Sequence, residues 1–77
     1  MEYVIKMNLP KMEVSGYRLK TRMQAINCFM RIYNKLLEQE GFVTIFIRNK
    51  RGEALRGTIK VEIDGFYYYV ELYRAKE

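Results

Sequence analysis

Residues 58–73 read TIKVEIDGFYYYVELY, and their alternation decides the fold. Asp64-Gly65 is the strongest short hairpin signal, a two-residue type I′ turn flanked by apolar alternation. Before it, residues 58–63 send Ile59, Val61 and Ile63 to one face and Thr58, Lys60 and Glu62 to the other. After it, residues 66–73 send Phe66, Tyr68, Val70 and Leu72 one way and Tyr67, Tyr69, Glu71 and Tyr73 the other. The turn pairs Ile63 with Phe66, so Glu62 opposes Tyr67 and Glu71 opposes Thr58. One face of this hairpin is built for a core. The other presents aromatic rings and charges.

Working outward, residues 42–49 alternate in the same way. Val43, Ile45 and Ile47 fall on the inner side, with Phe42, Thr44, Phe46 and Arg48 on the outer side. Residues 49–57 carry a turn at Arg51-Gly52, with a bulge expected at Gly57. Upstream, Thr21-Arg22-Met23-Gln24 forms a capping box that opens a helix. Leu19, Met23, Ile26, Met30, Tyr33 and Leu37 follow at steps of three and four. Ala25, Phe29 and Leu36 broaden that stripe, and Gly41 supplies the left-handed end. Residues 2–8 alternate as a first strand that Pro10 ends. Residues 11–20 read as a connector with a turn at Ser15-Gly16. The expected class is α+β, in the order β-α-β-β-β. Its sheet is mainly antiparallel, one amphipathic helix covers one face, and residues 1–77 make a single small domain.

Composition narrows the function. A chain of 77 residues has a small core, and oligomerisation is a common remedy for marginal stability. A hydrophobic fraction of 49% argues against disorder. There are no histidines, which removes the usual general base, metal ligand and pH switch. A single cysteine, Cys28, rules out an internal disulfide and a cysteine-built zinc site. It reads as a small, partly buried residue in a reducing, cytoplasmic setting. No apolar run approaches membrane-spanning length, so no membrane partner is expected. Glu62 and Glu71 are not directly apposed, so a paired-acid site is not indicated, and no nucleophile-base pair is visible. The expectation is a non-enzymatic protein with no cofactor and no metal.

The net charge of +5 favours polyanionic or acidic partners. Three constellations carry that charge. The first is the outer sheet face, with Phe46, Tyr67, Tyr69 and Tyr73 among Arg48 and Lys60. Such rings stack unpaired bases while cations hold phosphates. Two other readings of this face compete, a homodimer interface and plain cross-strand packing of tyrosines. The second gathers Arg18, Lys20 and Arg22 at the helix N-terminus, where free amides and the dipole favour a phosphate. The rival reading is a solvated connector. The third is the loop with Lys50 and Arg51 between Arg48 and Arg56, which reads either as a backbone probe or as a solvated turn.

Two partial resemblances point the same way. Residues 3–37, with YVIKMN, Leu9-Pro10 and KTRMQAIN, resemble a ribbon-helix-helix DNA-binding protein. That resemblance implies a first helix within residues 11–20, strand pairing with a second copy, and Val4, Lys6 and Asn8 in a major groove. Residues 43–66, VTIFIRNKRGEALRGTIKVEIDGF, are similar to the first motif of Sm-like RNA-binding barrels, through Gly52, Gly57 and Asp64. Each covers only part of the chain, and neither assigns a family. The leading expectation is a nucleic-acid-binding protein acting as a dimer, with DNA or RNA as partner. Its nucleic-acid contacts would come from Arg18, Lys20, Arg22, Arg48, Lys50, Arg51, Lys60, Tyr67, Tyr69 and Tyr73. The alternative is a protein-protein interaction or assembly module using the aromatic face.

Overall fold

A computed structural model describes residues 2–10 and 12–75. The elements are β1 (Tyr3–Met7), β2 (Gly16–Leu19), α1 (Arg22–Glu40), β3 (Val43–Arg48), β4 (Arg56–Ile63) and β5 (Phe66–Arg74). All strand pairs are antiparallel, in the order β2-β1-β5-β4-β3, and α1 packs on one face of the sheet. The α+β class is therefore as expected. The β4–β5 register is also the one the turn dictates, with Ile63 opposite Phe66, Glu62 opposite Tyr67 and Thr58 opposite Glu71. Asp64 and Gly65 both have positive φ, 52° and 84°, as a type I′ turn requires.

Residues 11–20 are more than a connector. They include β2, which pairs with β1 through Lys6 opposite Gly16 and Tyr3 opposite Leu19. The amide of Met7 donates to the carbonyl of Ser15 at 2.9 Å and extends this pairing toward the turn. β1 thus lies between β2 and β5, with both edges occupied by strands of its own chain. The ribbon-helix-helix implications fail on this point, since no edge of β1 is left for a second copy and β2 replaces the implied first helix. The sheet is also open, with β2 and β3 at its edges, so residues 43–66 form a hairpin of an open sheet rather than the start of a barrel.

The helix begins as its cap predicts. The Thr21 hydroxyl accepts from the Gln24 amide at 3.1 Å, and the Gly41 amide closes the C-terminus on the Leu37 carbonyl. Its rotational phase differs from the expected one. Ala25, Phe29 and Leu36 are the buried helix residues, whereas Met23 is 69% exposed and Leu37 is also exposed. The inner sheet face meets them with Ile5, Ile59, Val61, Val70 and Leu72, all essentially fully buried.

Gly57 explains the phase. It is not a bulge, because it pairs regularly with Ile47 on one side and Leu72 on the other. A Cβ placed there would lie 2.7 Å from the Phe29 ring, so the missing side chain is the space the ring occupies. Strand β4 also starts at Arg56, two residues earlier than expected, and Leu55 just before it is fully buried in the core.

Candidate functional site

The helix covers the inner sheet face only, so the side chains of opposite parity stand on the far face. Directly opposed residues of antiparallel strands share a face, and these side chains therefore line up in rows across the sheet. One row runs Arg18, Val4, Tyr73, and at the same end Arg56 opposes Arg48. The next runs Lys6, Glu71, Thr58, Phe46. The third holds Tyr69, Lys60 and Thr44, and the last pairs Tyr67 with Glu62.

Aromatic rings stand well out of this surface. Phe46 is 62% exposed, Tyr67 57% and Tyr69 46%, while Tyr73 is half-buried. Lys60 Nζ lies 4.2 Å from the centre of the Tyr67 ring, a cation–π contact that holds both side chains over the sheet. Glu71 accepts from the Thr58 hydroxyl at 2.9 Å and sits opposite Lys6.

Of the residues expected to bind, the sheet brings Arg18, Arg48, Lys60, Tyr67, Tyr69 and Tyr73 onto this one face. Arg22 has another task. Its guanidinium donates to Asn49 Oδ1 at 2.7 Å and to the carbonyls of Lys50 and Glu53, tying the helix start to the β3–β4 loop. Arg18 lies on β2 and pairs with Glu2 at 2.9 Å. The expected trio at the helix N-terminus is thereby divided, with Lys20 exposed beside the start of α1. In the loop, Glu53 pairs with Arg48 at 2.7 Å, while Lys50 and Arg51 stand in solvent.

Two further cations, Lys6 and Arg56, stand on this face, although the sequence suggested them only for a major groove and for the basic loop. Lys6 was legible from the alternation of β1. Arg56 has the same parity as Thr58 and Lys60, and it was hidden only because β4 was begun two residues late.

Cys28 lies half-buried on the helix flank, within the partly buried shell of the core. Burial pushes its thiol above the ordinary value, and the nearby Arg31 pulls weakly the other way. At neutral pH the group is held as the thiol, the poor nucleophile of the pair. A thiol reagent should therefore modify Cys28 more slowly in the folded protein than in urea. Equal rates would show that the helix flank does not shield it.

Among the described residues no group of His, Cys, Asp and Glu side chains is placed to hold a metal, and no helix is long and apolar enough to cross a membrane. The chain matches no family model, no curated protein and no solved structure.

Proposed function

We propose that this is a non-enzymatic nucleic-acid-binding protein that holds single strands on its uncovered sheet face and acts as a dimer. The observation that carries the reading is the alternation of exposed rings with cations across adjacent strands. Tyr69 lies opposite Lys60, Tyr67 lies under Lys60, and Phe46 shares a row with Lys6. Bases have faces for the rings and phosphates have charge for the cations. An uncovered sheet face supports splayed single strands better than a duplex, whose bases are already stacked. The same rings serve the alternative of a protein-assembly surface. Charge weighs against it, because Lys6, Lys60, Glu62 and Glu71 spread through the face, and interface cores are depleted of charged residues.

The test is a titration against single-stranded DNA, single-stranded RNA and duplex at low salt. Preference for a single strand supports the reading. Absence of binding to all of them removes it and leaves the assembly module.

Dimerisation fits another part of the molecule, the free edge of β3. An edge strand presents unpaired amides and carbonyls to a second strand. β3 has six residues and carries Val43, Ile45 and Ile47, which are only half-buried, whereas their cross-strand partners Ile59 and Val61 are fully buried. The other edge, β2, has four residues and bears Arg18. Antiparallel self-pairing of β3 about Ile45 would continue the sheet and leave the aromatic face open on both copies. Sedimentation at micromolar concentration should give twice the 9.3 kDa monomer mass. Ile45→Lys, which places a cation in the paired edge, should return it to monomer. A wild-type monomer at that concentration rejects the dimer.

A further inference from the structure

We infer that the groove between β1 and β5 on the uncovered face recognises a guanine base. The inference rests on the nucleic-acid reading for its source, a base of a bound single strand. It adds a base preference to a surface whose rings and cations carry none. The groove has a volume of about 460 Å³, and Lys6, Asn8, Ser15, Tyr69 and Glu71 are among the residues that line it. Lys6 and Glu71 stand directly opposite each other, and Tyr69 is two residues from Glu71 on the same face of β5.

Opposite charges directly across neighbouring strands stabilise each other when they meet. These two do not meet. Glu71 is engaged on its other side by β4, where the Thr58 hydroxyl donates to its Oε2 at 2.9 Å. Among the described residues no ion pair joins Glu71 to Lys6, and Lys6 has no other carboxylate partner. Lys6 is also uncrowded on the β2 side, where Gly16 is its opposite residue. A Cβ at Gly16 would lie 2.5 Å from the Ile5 carbonyl oxygen, so that position holds no side chain. A cation and a carboxylate are thus held apart across an open groove with an exposed aromatic ring in its wall.

A ligand that bridges them must offer an acceptor to the ammonium and donors to the carboxylate along one edge. Its body must be flat to stack on Tyr69, which every nucleobase satisfies. Among the four DNA bases only guanine sets two adjacent donors, N1–H and N2–H, beside an acceptor, O6. Adenine, cytosine and thymine each have one donor group on that edge. An ionised carboxylate accepts two parallel donors well, as it does from arginine, and its lone pairs suffice for these and for Thr58. O6 then meets Lys6 Nζ, whose three donors leave it able to face a phosphate as well. Glu71 itself repels a phosphate, which keeps the base in the groove and the backbone outside it. Asn8 and Ser15 add an amide and a hydroxyl that suit the attached sugar.

The experiment uses a short oligothymidine strand whose central position is dT, dC, dA, dG or deoxyinosine, together with guanosine monophosphate as free ligand. The dG strand should bind about tenfold tighter than the dA strand, within the range of a good bidentate base contact. Deoxyinosine keeps O6 and N1–H but lacks the 2-amino group, so it should lose most of that gain. Glu71→Gln should bring dG and dA to within about twofold of each other. Glu71 is exposed and glutamine can keep the Thr58 bond, so the fold is retained. The change also removes a negative charge and strengthens all strands, so the ratio is the readout. The inosine comparison alters the ligand alone and decides the matter even for a variant that fails to fold. If dG binds no tighter than dA or deoxyinosine, or keeps its advantage in Glu71→Gln, the site is overturned while the nucleic-acid reading survives. If no strand binds but guanosine monophosphate does, in a Glu71-dependent way, the site stands and that reading falls. Binding of neither strand nor monophosphate removes both.

Discussion

Phe29→Ala is expected to destabilise the fold by about 3–5 kcal/mol, the cost of emptying a large buried aromatic site. A domain of this size has only about 4–12 kcal/mol in hand, so the variant should lose a large share of its stability and unfold at a much lower urea concentration than wild type. The ring is fully buried, and it occupies the space that Gly57 leaves in β4. Gly57→Ala should itself cost about 1–3 kcal/mol, because the new methyl lies 2.7 Å from a ring that the packed core prevents from moving away. Trimming the ring should relieve that clash. Phe29→Leu combined with Gly57→Ala is expected to lose less stability than the two single changes added together, a non-additivity that a double-mutant cycle in urea measures directly. By contrast Met23→Ala, at a residue 69% exposed on the same helix, should stay within about ±0.5 kcal/mol. Equal losses at Met23 and Phe29 would mean that α1 is rotated from the orientation described.

That rotation is also where the sequence was hardest to read. The helix has a wide apolar arc. Met23, Ile26, Met30, Tyr33 and Leu37 keep the three-and-four spacing as well as Ala25, Phe29, Ile32 and Leu36 do. Periodicity cannot choose between overlapping stripes. What chooses is tertiary: Ala25 is small enough for close approach, and Gly57 receives the ring of Phe29. The β4–β5 hairpin, by contrast, was legible down to its register, because Asp64-Gly65 fixes the turn and a two-residue turn fixes every pair after it. The four residues of β2 were missed because so short a strand beginning at glycine has almost no local signal. It is specified by the neighbouring edge of β1, which is contributed from elsewhere in the chain. The outer face was legible for the same reason as the hairpin. Once parity was set, Tyr67, Tyr69 and Lys60 had to stand together, whereas Arg18 and Arg56 could join them only after β2 and the true start of β4 were known.

The largest functional effect expected is in the salt dependence of single-strand binding. If Lys6, Lys60, Arg18 and Arg56 each neutralise one phosphate, log K against log[salt] should fall with a slope near −2.8, about −0.7 per phosphate for a single strand. Raising salt from 50 to 200 mM would then weaken binding about fiftyfold. The rings contribute a different component. Tyr69→Ala or Tyr67→Ala should each cost about 1–3 kcal/mol if a base stacks there, while leaving the slope nearly unchanged, because no charge is removed. Lys60→Ala should do both. It deletes a phosphate contact, flattening the slope by about 0.7, and it frees the Tyr67 ring from the cation 4.2 Å above it. The sign of its net effect is thus diagnostic. If Tyr67 presents its Lys60-covered side to a base, removing the lysine opens a stacking surface, and at salt high enough to screen the lost phosphate contact Lys60→Ala should bind more tightly than wild type; a deficit that only shrinks with salt reports the lost charge alone. Fluorescence anisotropy across the salt series separates these components. A steep slope with no response to either tyrosine change would make the face an electrostatic track without base stacking. A flat slope with tyrosine variants that change the sedimentation mass instead would assign the face to protein assembly.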